Sequence, residues 1–325
     1  MVKPASSSNP INSKLSHMTE MSGTEARLQA IEAALLQLVA AYAQNQPEAK
    51  QKSRDSHIHA LLADSNCPAY CWSHLDATAP LRPIFALDGV DLNLLQAMDG
   101  QKQQIILNSS QFAAGYPANN ALLWGARGTG KSSLVKAVFK SLWESHKGKI
   151  GLVEIARNDL ESLPLLLELL ASHAEKQFFL FCDDLSFEMG DAAYKSLKAV
   201  LEGGVAGCPS NVIFYATSNR RHLMPRDMAE NETGGAIHPS EAVEEKISLS
   251  DRFGLWIGFY DYNQAEYLAM VKAYIDAYKI PVQQMDWQHD ALEWSITRGA
   301  RSGRVAAQFI LALAGRLHHP ITLHS

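Results

Sequence analysis

The sequence contains little that would direct the chain into a membrane or out of the cell. No apolar run approaches 18 residues, so no membrane-spanning helix is expected. The N-terminal stretch MVKPASSSNPINSK lacks the apolar core of a secretory signal and is typical of a disordered tail. Four cysteines in 325 residues are too few for a disulfide framework and indicate a reduced compartment. Together these absences predict a cytoplasmic protein.

The sequence also lacks any strong bias in charge. The formal net charge of −5 gives no overall attraction to nucleic acid or acidic lipid, although a local basic face remains compatible with it. Hydrophobic residues make up 47% and charged residues 19%, as in ordinary globular proteins. A length of 325 residues allows two modest domains, or one domain with extensions.

Potential metal ligands are concentrated in one short region. The side chains of His57, His59, Cys67, Cys71 and His74 could supply enough ligands for zinc. The C-x3-C spacing with a close histidine matches no common zinc finger, however. The pattern therefore favours a loop without metal, with a zinc site as the alternative.

The most informative segment is GARGTGKS, from Gly125 to Ser132. A short apolar run precedes it, as expected for a strand, and apolar residues at helical spacing follow it. Glycines at this spacing let the backbone fold over an anion with its N–H groups pointing inward. We expect nucleotide to be bound by Gly125, Ala126, Arg127, Gly128, Thr129, Gly130, Lys131, Ser132 and Ser133.

Two of these residues have specific expected roles. The Lys131 ammonium can reach the β- and γ-phosphates, and the Ser132 hydroxyl can ligate Mg²⁺. The alternative is a glycine-rich turn between a strand and a helix, with an exposed lysine. The surrounding pattern favours a phosphate-binding loop, and the expected ligands are ATP and Mg²⁺.

A second motif, FFLFCDD, ends a buried strand with two carboxylates. We expect Asp183 to hold Mg²⁺ directly or through water. Asp184 then stands where a general base would orient the attacking water, although it is one methylene shorter than the usual Glu. The alternative is an acidic helix cap after the strand.

A third motif, VIFYATSN, ends in Thr217, Ser218 and Asn219. The Asn219 amide at the tip of a neighbouring strand can hydrogen-bond the γ-phosphate or the attacking water. The alternative is an asparagine that forms a turn, which is common at strand ends.

Strands and helices alternate between these motifs. The pattern predicts an α/β fold with a doubly wound, five-stranded parallel sheet, and nucleotide at its carboxyl edge. The expected strands are Leu122–Trp124, Ile150–Ile155, Phe178–Cys182, Val212–Ala216 and Leu255–Tyr260, with helices at 131–146, 163–174 and after Asp191.

The flanking regions have other patterns. The expected divisions are 1–56 (a disordered tail to residue 23, an amphipathic helix at 24–44 and a linker), 57–115 (short helices and loops), 116–260 (the ATP-binding domain) and 261–325 (a small helical lid). The helix at 24–44 has the seam of a short coiled coil, which would pack on the same chain or self-associate. Asn263 and Glu266 resemble a capping box at the start of the lid.

Taken together, the three motifs and the helical C-terminal region resemble an AAA+ ATPase. SDRFG, Ser250–Gly254, is similar to the segment that carries the arginine finger of that superfamily, which implies Arg252; the alternative is a surface salt bridge with Asp251 or Glu245. GARSGR resembles the lid motif that carries a second sensor arginine. Arg301 fits that motif best, and Arg304 is the alternative. The segment that begins at Asp99 resembles the one that contacts adenine.

Longer blocks around the motifs resemble an uncharacterised bacterial family of P-loop ATPases, known only as a domain of unknown function. This resemblance covers about residues 60–318 and implies a fold and ATP binding but no client. The Asp-Asp pair and the segment EEKISLSDRFGLWI resemble the replication-initiator and helicase-loader branches of AAA+. That resemblance points to nucleic acid, with Arg220, Arg221 and His222 as candidate contacts.

The function expected from these observations is Mg²⁺-dependent ATP hydrolysis by a homo-oligomer, a ring or filament, that remodels an unknown protein or nucleic-acid client. The alternative is a slowly hydrolysing scaffold or loader in which ATP sets the assembly state; the short side chain of Asp184 favours it. A P-loop kinase is disfavoured, because the sequence has no acceptor-site signature.

Overall fold

The computed structural model describes residues 34, 35, 37, 47–76, 79–187, 191–203, 207–221, 223 and 249–323. Residues 1–59 and 60–325 form separate compact units. Of the expected tail and the helix at 24–44, only residues 34, 35 and 37 are described, and all three are helical. His222 and Glu245 lie outside the described residues.

The described residues form a sheet of seven strands rather than the five that the sequence predicts. The strand order is β2-β1-β4-β5-β6-β3-β7, and every neighbouring pair is parallel except β2 with β1. The strands are β1 Ala69–Trp72, β2 Leu81–Ile84, β3 Ala121–Gly125, β4 Ile150–Ile155, β5 Gln177–Cys182, β6 Val212–Ser218 and β7 Leu255–Phe259.

The two additional strands correct the expectation of helices and loops in this part of the chain. β1 and β2 form a hairpin whose first strand pairs with β4, with Trp72 opposite Ile155. The Trp72 indole N–H donates a 2.8 Å hydrogen bond to the hydroxyl of Ser162, and the Tyr70 hydroxyl donates to the Leu61 carbonyl at 2.9 Å. Contacts with distant residues therefore hold β1, a four-residue strand too short to show a pattern of its own.

The helices of the described chain follow the expected order, with one further helix. The expected linker near residues 48–56 is helical and lies within a helix that begins at Pro47. Proline is tolerated at the first helical position because its missing N–H costs nothing there. The helices are α1 Pro47–Ala63, α2 Asp99–Ala113, α3 Lys131–His146, α4 Leu163–Ala171, α5 Ala192–Leu201, α6 Gln264–Tyr278, α7 Trp287–Thr297 and α8 Gly303–Arg316.

Burial explains why β5 and β6 could be recognised from the sequence. All five residues of FFLFC in β5 are buried, and so is the whole of β6. Such continuous apolar runs are typical of parallel strands covered on both faces. Helix α3 packs Leu134 and Val138 into the same core, and the carboxyl ends of β3, β5 and β6 meet at one edge of the sheet.

Helices α6, α7 and α8 pack on one another and form the C-terminal helical unit that we call the lid. The predicted capping box is present, since the Asn263 side chain accepts from the Glu266 N–H and the Glu266 carboxylate accepts from the Asn263 N–H. Tyr267 and Val271 of α6 are buried in the core of the lid. Among the described residues, no helix combines the length and the apolar character needed to cross a membrane.

Candidate functional site

The phosphate loop lies between β3 and α3, and its glycines hold backbone conformations that other residues rarely adopt. Gly125, Gly128 and Gly130 have φ values of 137°, 75° and 85°. A Cβ atom at Gly125 would lie 1.8 Å from the carbonyl oxygen of Phe259, and one at Gly130 would lie 2.9 Å from the Met98 methyl carbon. The loop can therefore take this shape only with glycine at position 125. The resulting backbone is concave, as binding of an anion requires.

The side chain of Lys131 closes the inner side of this loop. Its Nζ atom donates to the carbonyl oxygens of Gly125 at 3.0 Å and Ala126 at 2.7 Å, and to Asn219 Oδ1 at 3.3 Å. Burial lowers the pKa of Lys131, and the carboxylates of Asp183 and Asp184 oppose that shift. The ammonium is thus held among neutral carbonyl groups, so that phosphate oxygens would be stronger acceptors for it.

The acidic tip of β5 lies against the first turn of α3. Ser132 Oγ donates a 2.5 Å hydrogen bond to Asp183 Oδ1, and the Thr217 hydroxyl donates to the same oxygen. These contacts bring together the two residues that the sequence predicts as magnesium ligands. A hydroxyl and a carboxylate are the oxygen donors that Mg²⁺ takes when phosphates supply further ligands, so the residues fit the ion.

The next residue, Asp184, has a strained backbone. Its φ is 51°, which is uncommon outside glycine, and its N–H donates to Thr217 Oγ1 at 3.0 Å. The Asn219 amide nitrogen donates to Asp184 Oδ1, while the Asn219 amide oxygen accepts from Lys131. One amide therefore joins the expected base to the expected phosphate-binding lysine.

These groups line a cavity of about 780 Å³, a size suited to a nucleotide. Asp183, Asp184 and Asn219 line its polar end together with the loop from Arg127 to Ser133. Among the described residues, Gly125 and Ala126 do not line it, although their carbonyl oxygens contact Lys131.

The other end of the cavity is apolar and was not predicted as a site. Its walls come from residues 89–98 and from residues 262–323. The apolar and aromatic side chains are Val90, Leu94, Leu95, Met98, Tyr262, Met270, Tyr274, Ala307, Leu311 and Leu323. The adenine-contacting segment was expected to begin at Asp99, but within the described chain the lining on this side stops at Met98, just before α2. The several apolar residues in GVDLNLLQAM, residues 89–98, were the sequence signal that could have indicated this wall.

The lid places one of its two candidate arginines at this cavity. Arg304, in the first turn of α8, lines the cavity near the phosphate loop, and its charge acts to lower the pKa of Lys131. Arg301 is exposed and is not among the lining residues. The sequence motif fits Arg301 better, whereas the geometry favours Arg304.

Arg252, the candidate arginine finger, lies outside the cavity of its own chain. Its guanidinium forms a 2.8 Å ion pair with Glu202, just after α5, and both side chains are more than 30% exposed. The sequence alternative of an ion pair is therefore realised with a partner, Glu202, that the sequence did not indicate. Arg221, a candidate nucleic-acid contact, is exposed and stacks on the rings of Trp124 and Trp256, at 5.2 and 5.1 Å from their centroids.

The proposed zinc ligands do not come together. Among the described residues, no group of three or more His, Cys, Asp or Glu side chains could hold a metal ion. Cys67 is buried, and its thiol donates to the Ala69 carbonyl oxygen at 3.2 Å. Contacts within the fold thus account for this cysteine without zinc.

A family described as "Protein of unknown function (DUF815)" matches residues 65–317, which is more than half of the chain. The chain belongs to this family. The predicted membership of a family without a known function is thereby confirmed. The match of the DUF815 family runs from just before β1 to the end of α8, so it contains the phosphate loop, the acidic tip of β5, Asn219 and Arg304.

Several solved structures are similar to this member of the DUF815 family. The Thermotoga maritima RuvB Holliday junction branch migration motor is 12% identical, covers 70% of this chain and 72% of its own, and has a TM-score of 0.39. The Aeropyrum pernix Orc1 protein in complex with DNA is 12% identical, covers 68% of this chain and 61% of its own, and has a TM-score of 0.44. C. elegans PCH-2 is 15% identical, covers 72% of this chain and 72% of its own, and has a TM-score of 0.41. Comparison with curated proteins finds no significant match.

Proposed function

We propose that this chain is a Mg²⁺-dependent ATPase of the AAA+ type. The observation that carries the proposal is the hydrogen bond between Ser132 and Asp183, placed between the phosphate loop and the tip of β5 at a cavity of nucleotide size. A glycine-rich turn without a ligand would not need a buried lysine, a hydroxyl and a carboxylate converging on one point.

The side chains of the site divide the work of phosphoryl transfer to water. The backbone N–H groups of the loop and the Lys131 ammonium would bind phosphate oxygens, and Ser132 Oγ and Asp183 Oδ1 would hold the metal. Bound Mg²⁺ supplies charge neutralisation on the phosphates. Asp184 Oδ1 would accept a proton from the attacking water, once the Asn219 amide that now donates to it turns to the phosphate or the water.

Titration calorimetry tests the proposal directly. Mg·ATP should release heat on binding at one site per chain and raise the melting temperature, and the binding should weaken when EDTA removes the metal. GTP and inorganic phosphate are the matched comparisons. Absence of both heat and a melting shift with ATP or ADP would overturn the proposal.

Assembly and a client extend this proposal. We propose a homo-oligomer, a ring or filament, in which Arg252 reaches the nucleotide of a neighbouring copy. In this proposal the protein is cytoplasmic, and ATP hydrolysis drives the remodelling of an unknown protein or nucleic-acid client. Support comes from the position of Arg252, which is partly exposed and does not line the cavity of its own chain. A finger contributed by another subunit requires this arrangement.

A second function, a nucleotide-gated scaffold or loader with slow turnover, is favoured by one observation. Asp184 is short, has φ 51° and already accepts a hydrogen bond from Asn219, so an attacking water has a weakly placed base. In this version ATP sets assembly, and the exposed Arg220 and Arg221 would contact nucleic acid. Assembly that depends on ATP, with negligible turnover at every protein concentration, distinguishes it from the motor.

A further inference from the structure

A tyrosine just before the lid donates a hydrogen bond to the phosphate loop. Tyr262 immediately precedes Asn263, the capping residue of α6, and its hydroxyl donates a 2.7 Å hydrogen bond to the carbonyl oxygen of Thr129. Tyr262 is 9% exposed and Thr129 is 1% exposed, so the bond is largely shielded from water, although both residues border the cavity. Burial raises the pKa of Tyr262 to about 12, which keeps the hydroxyl protonated as a donor at neutral pH.

A second contact lies one residue earlier in the loop. Gly128 packs against the start of α8, where a Cβ atom on Gly128 would come within 3.0 Å of Ser302 Oγ. Ser302 is itself fixed, because its hydroxyl caps α8 by accepting from the Val305 N–H. Residues 128 and 129 are therefore held between Tyr262, just before the lid, and the start of the last lid helix.

The hydrogen bond from Tyr262 fixes more than one atom. In a trans peptide the carbonyl oxygen and the following N–H point in opposite directions. Holding the Thr129 carbonyl oxygen therefore also sets the direction of the Gly130 N–H, one of the loop groups that would bind phosphate. Thr129 adds to this rigidity, since its own hydroxyl donates to the Ala126 carbonyl oxygen at 2.8 Å.

We propose that Tyr262 is a positioning residue that holds the phosphate loop in its binding form before nucleotide arrives, and thereby couples the loop to the lid. This inference rests on the proposed function. Without the hydroxyl, nucleotide binding would have to order the loop, and affinity would fall by the cost of that ordering. Because the affected groups face the phosphates shared by both nucleotides, ATP and ADP should lose affinity equally.

The test compares Tyr262→Phe with Tyr267→Phe. Tyr267 is a matched control, because its buried hydroxyl also donates to a backbone carbonyl, that of Ala291 at 3.1 Å, within the lid and away from the loop. Hydrogen exchange of loop residues 125–133 is measured without nucleotide, and dissociation constants are measured for ATP and ADP. Tyr262→Phe should speed exchange of the loop and weaken both nucleotides by about two- to tenfold, the range for one lost hydrogen bond. Tyr267→Phe should change neither.

Three outcomes overturn the inference. Tyr262→Phe binds both nucleotides like the wild type; Tyr267→Phe weakens them as much; or the loss is confined to ATP, which would indicate a contact to the γ-phosphate instead. If the wild-type chain binds neither nucleotide, the proposed function fails and this inference fails with it. If the wild type binds and Tyr262→Phe binds equally well, the inference alone fails.

Discussion

The side-chain amide of Asn219 connects the phosphate loop to the acidic tip of β5. It accepts from Lys131 and donates to Asp184, and both contacts use atoms that nucleotide or water would engage. Arrival of a γ-phosphate would draw Lys131 away and free this amide to turn. The hydrogen bonds of Asn219 can thus be replaced by bonds to nucleotide or water, whereas the backbone conformation of the loop glycines is fixed.

Lys131→Ala should lower ATP affinity by about one to two orders of magnitude, because a charge-assisted hydrogen bond to phosphate contributes about 1.5–3 kcal/mol. The melting temperature without nucleotide should hardly change, since burial already disfavours the ammonium. Calorimetry and thermal melting check the two parts. Lys140→Ala is the control, because Lys140 lies on the same helix but pairs with Asp91 at 3.1 Å. Unfolding of the Lys131→Ala protein without nucleotide would reveal a structural role instead.

Asp184→Asn should reduce ATP turnover by about 10²- to 10⁴-fold with little change in ATP affinity, since only the proton acceptor is removed. Asparagine tolerates the left-handed backbone at this position, so the fold should persist. Asp183→Asn provides the contrast. The Asp183→Asn substitution should weaken the Mg²⁺ dependence of ATP binding, because Asp183, which accepts from the Ser132 hydroxyl, is the carboxylate proposed to hold the metal. Equal turnover in wild type and Asp184→Asn would exclude Asp184 as the base.

Arg304→Ala should weaken ATP by about tenfold and ADP much less, because a lid arginine at the phosphate end of the cavity would contact the γ-phosphate. Arg301→Ala removes the same charge three residues earlier, at a position that does not line the cavity, and should change neither affinity. Competition binding with both nucleotides measures the four values. The reverse pattern would restore the assignment that the sequence motif favours.

At the scale of elements, the sequence could predict the structure wherever a pattern was long and local. The buried run of β5, the helix after the phosphate loop and the capping box at Asn263 were predicted to within one residue at most of their bounds. The hairpin β1–β2 could not be predicted, because its strands have four residues each and depend on partners such as Ser162, far along the chain. The apolar wall at 89–98 is irregular backbone around a short 3-10 turn, Leu92–Leu94, and has no periodicity.

The hairpin can be tested by a double-mutant cycle on Trp72 and Ser162. Trp72→Phe and Ser162→Ala each remove one end of their buried hydrogen bond, and the coupling free energy should be about 0.5–1.5 kcal/mol in urea unfolding. Nucleotide affinity should not change, because three strands separate β1 from β3 in the sheet. Coupling near zero would mean that the indole stabilises the strand through packing alone.

At the scale of the whole molecule, the open question is whether copies of the chain complete one another. Arg252 does not line the cavity of its own chain and pairs with Glu202 instead, and this exposed ion pair is weak enough to exchange. The proposed oligomer therefore predicts that turnover per chain depends on concentration. The scaffold alternative predicts that it does not.

Turnover per chain should rise with protein concentration in the wild type, and Arg252→Ala should lower the plateau by about 10³-fold or more. Glu202→Gln removes one partner of Arg252 and should move the rise to lower concentration. Arg316→Ala, which removes another exposed ion pair with Asp290 at 3.0 Å, should behave like the wild type. Steady-state assays alongside light scattering measure these changes. A flat profile in every variant would count against a finger supplied in trans.

The antiparallel pair at the margin of the sheet has a practical consequence for anyone who shortens this chain. β1 covers the outer side of β4, and β2 in turn covers β1. A fragment that starts at residue 116, where the sequence places the beginning of the ATP-binding domain, would leave the apolar strand Ile150–Ile155 with an open row of backbone donors and acceptors. An exposed edge strand of this kind can pair with strands of other chains and so promote aggregation. The smallest fragment that keeps the sheet closed on that side begins before Ala69, about fifty residues upstream of the phosphate loop.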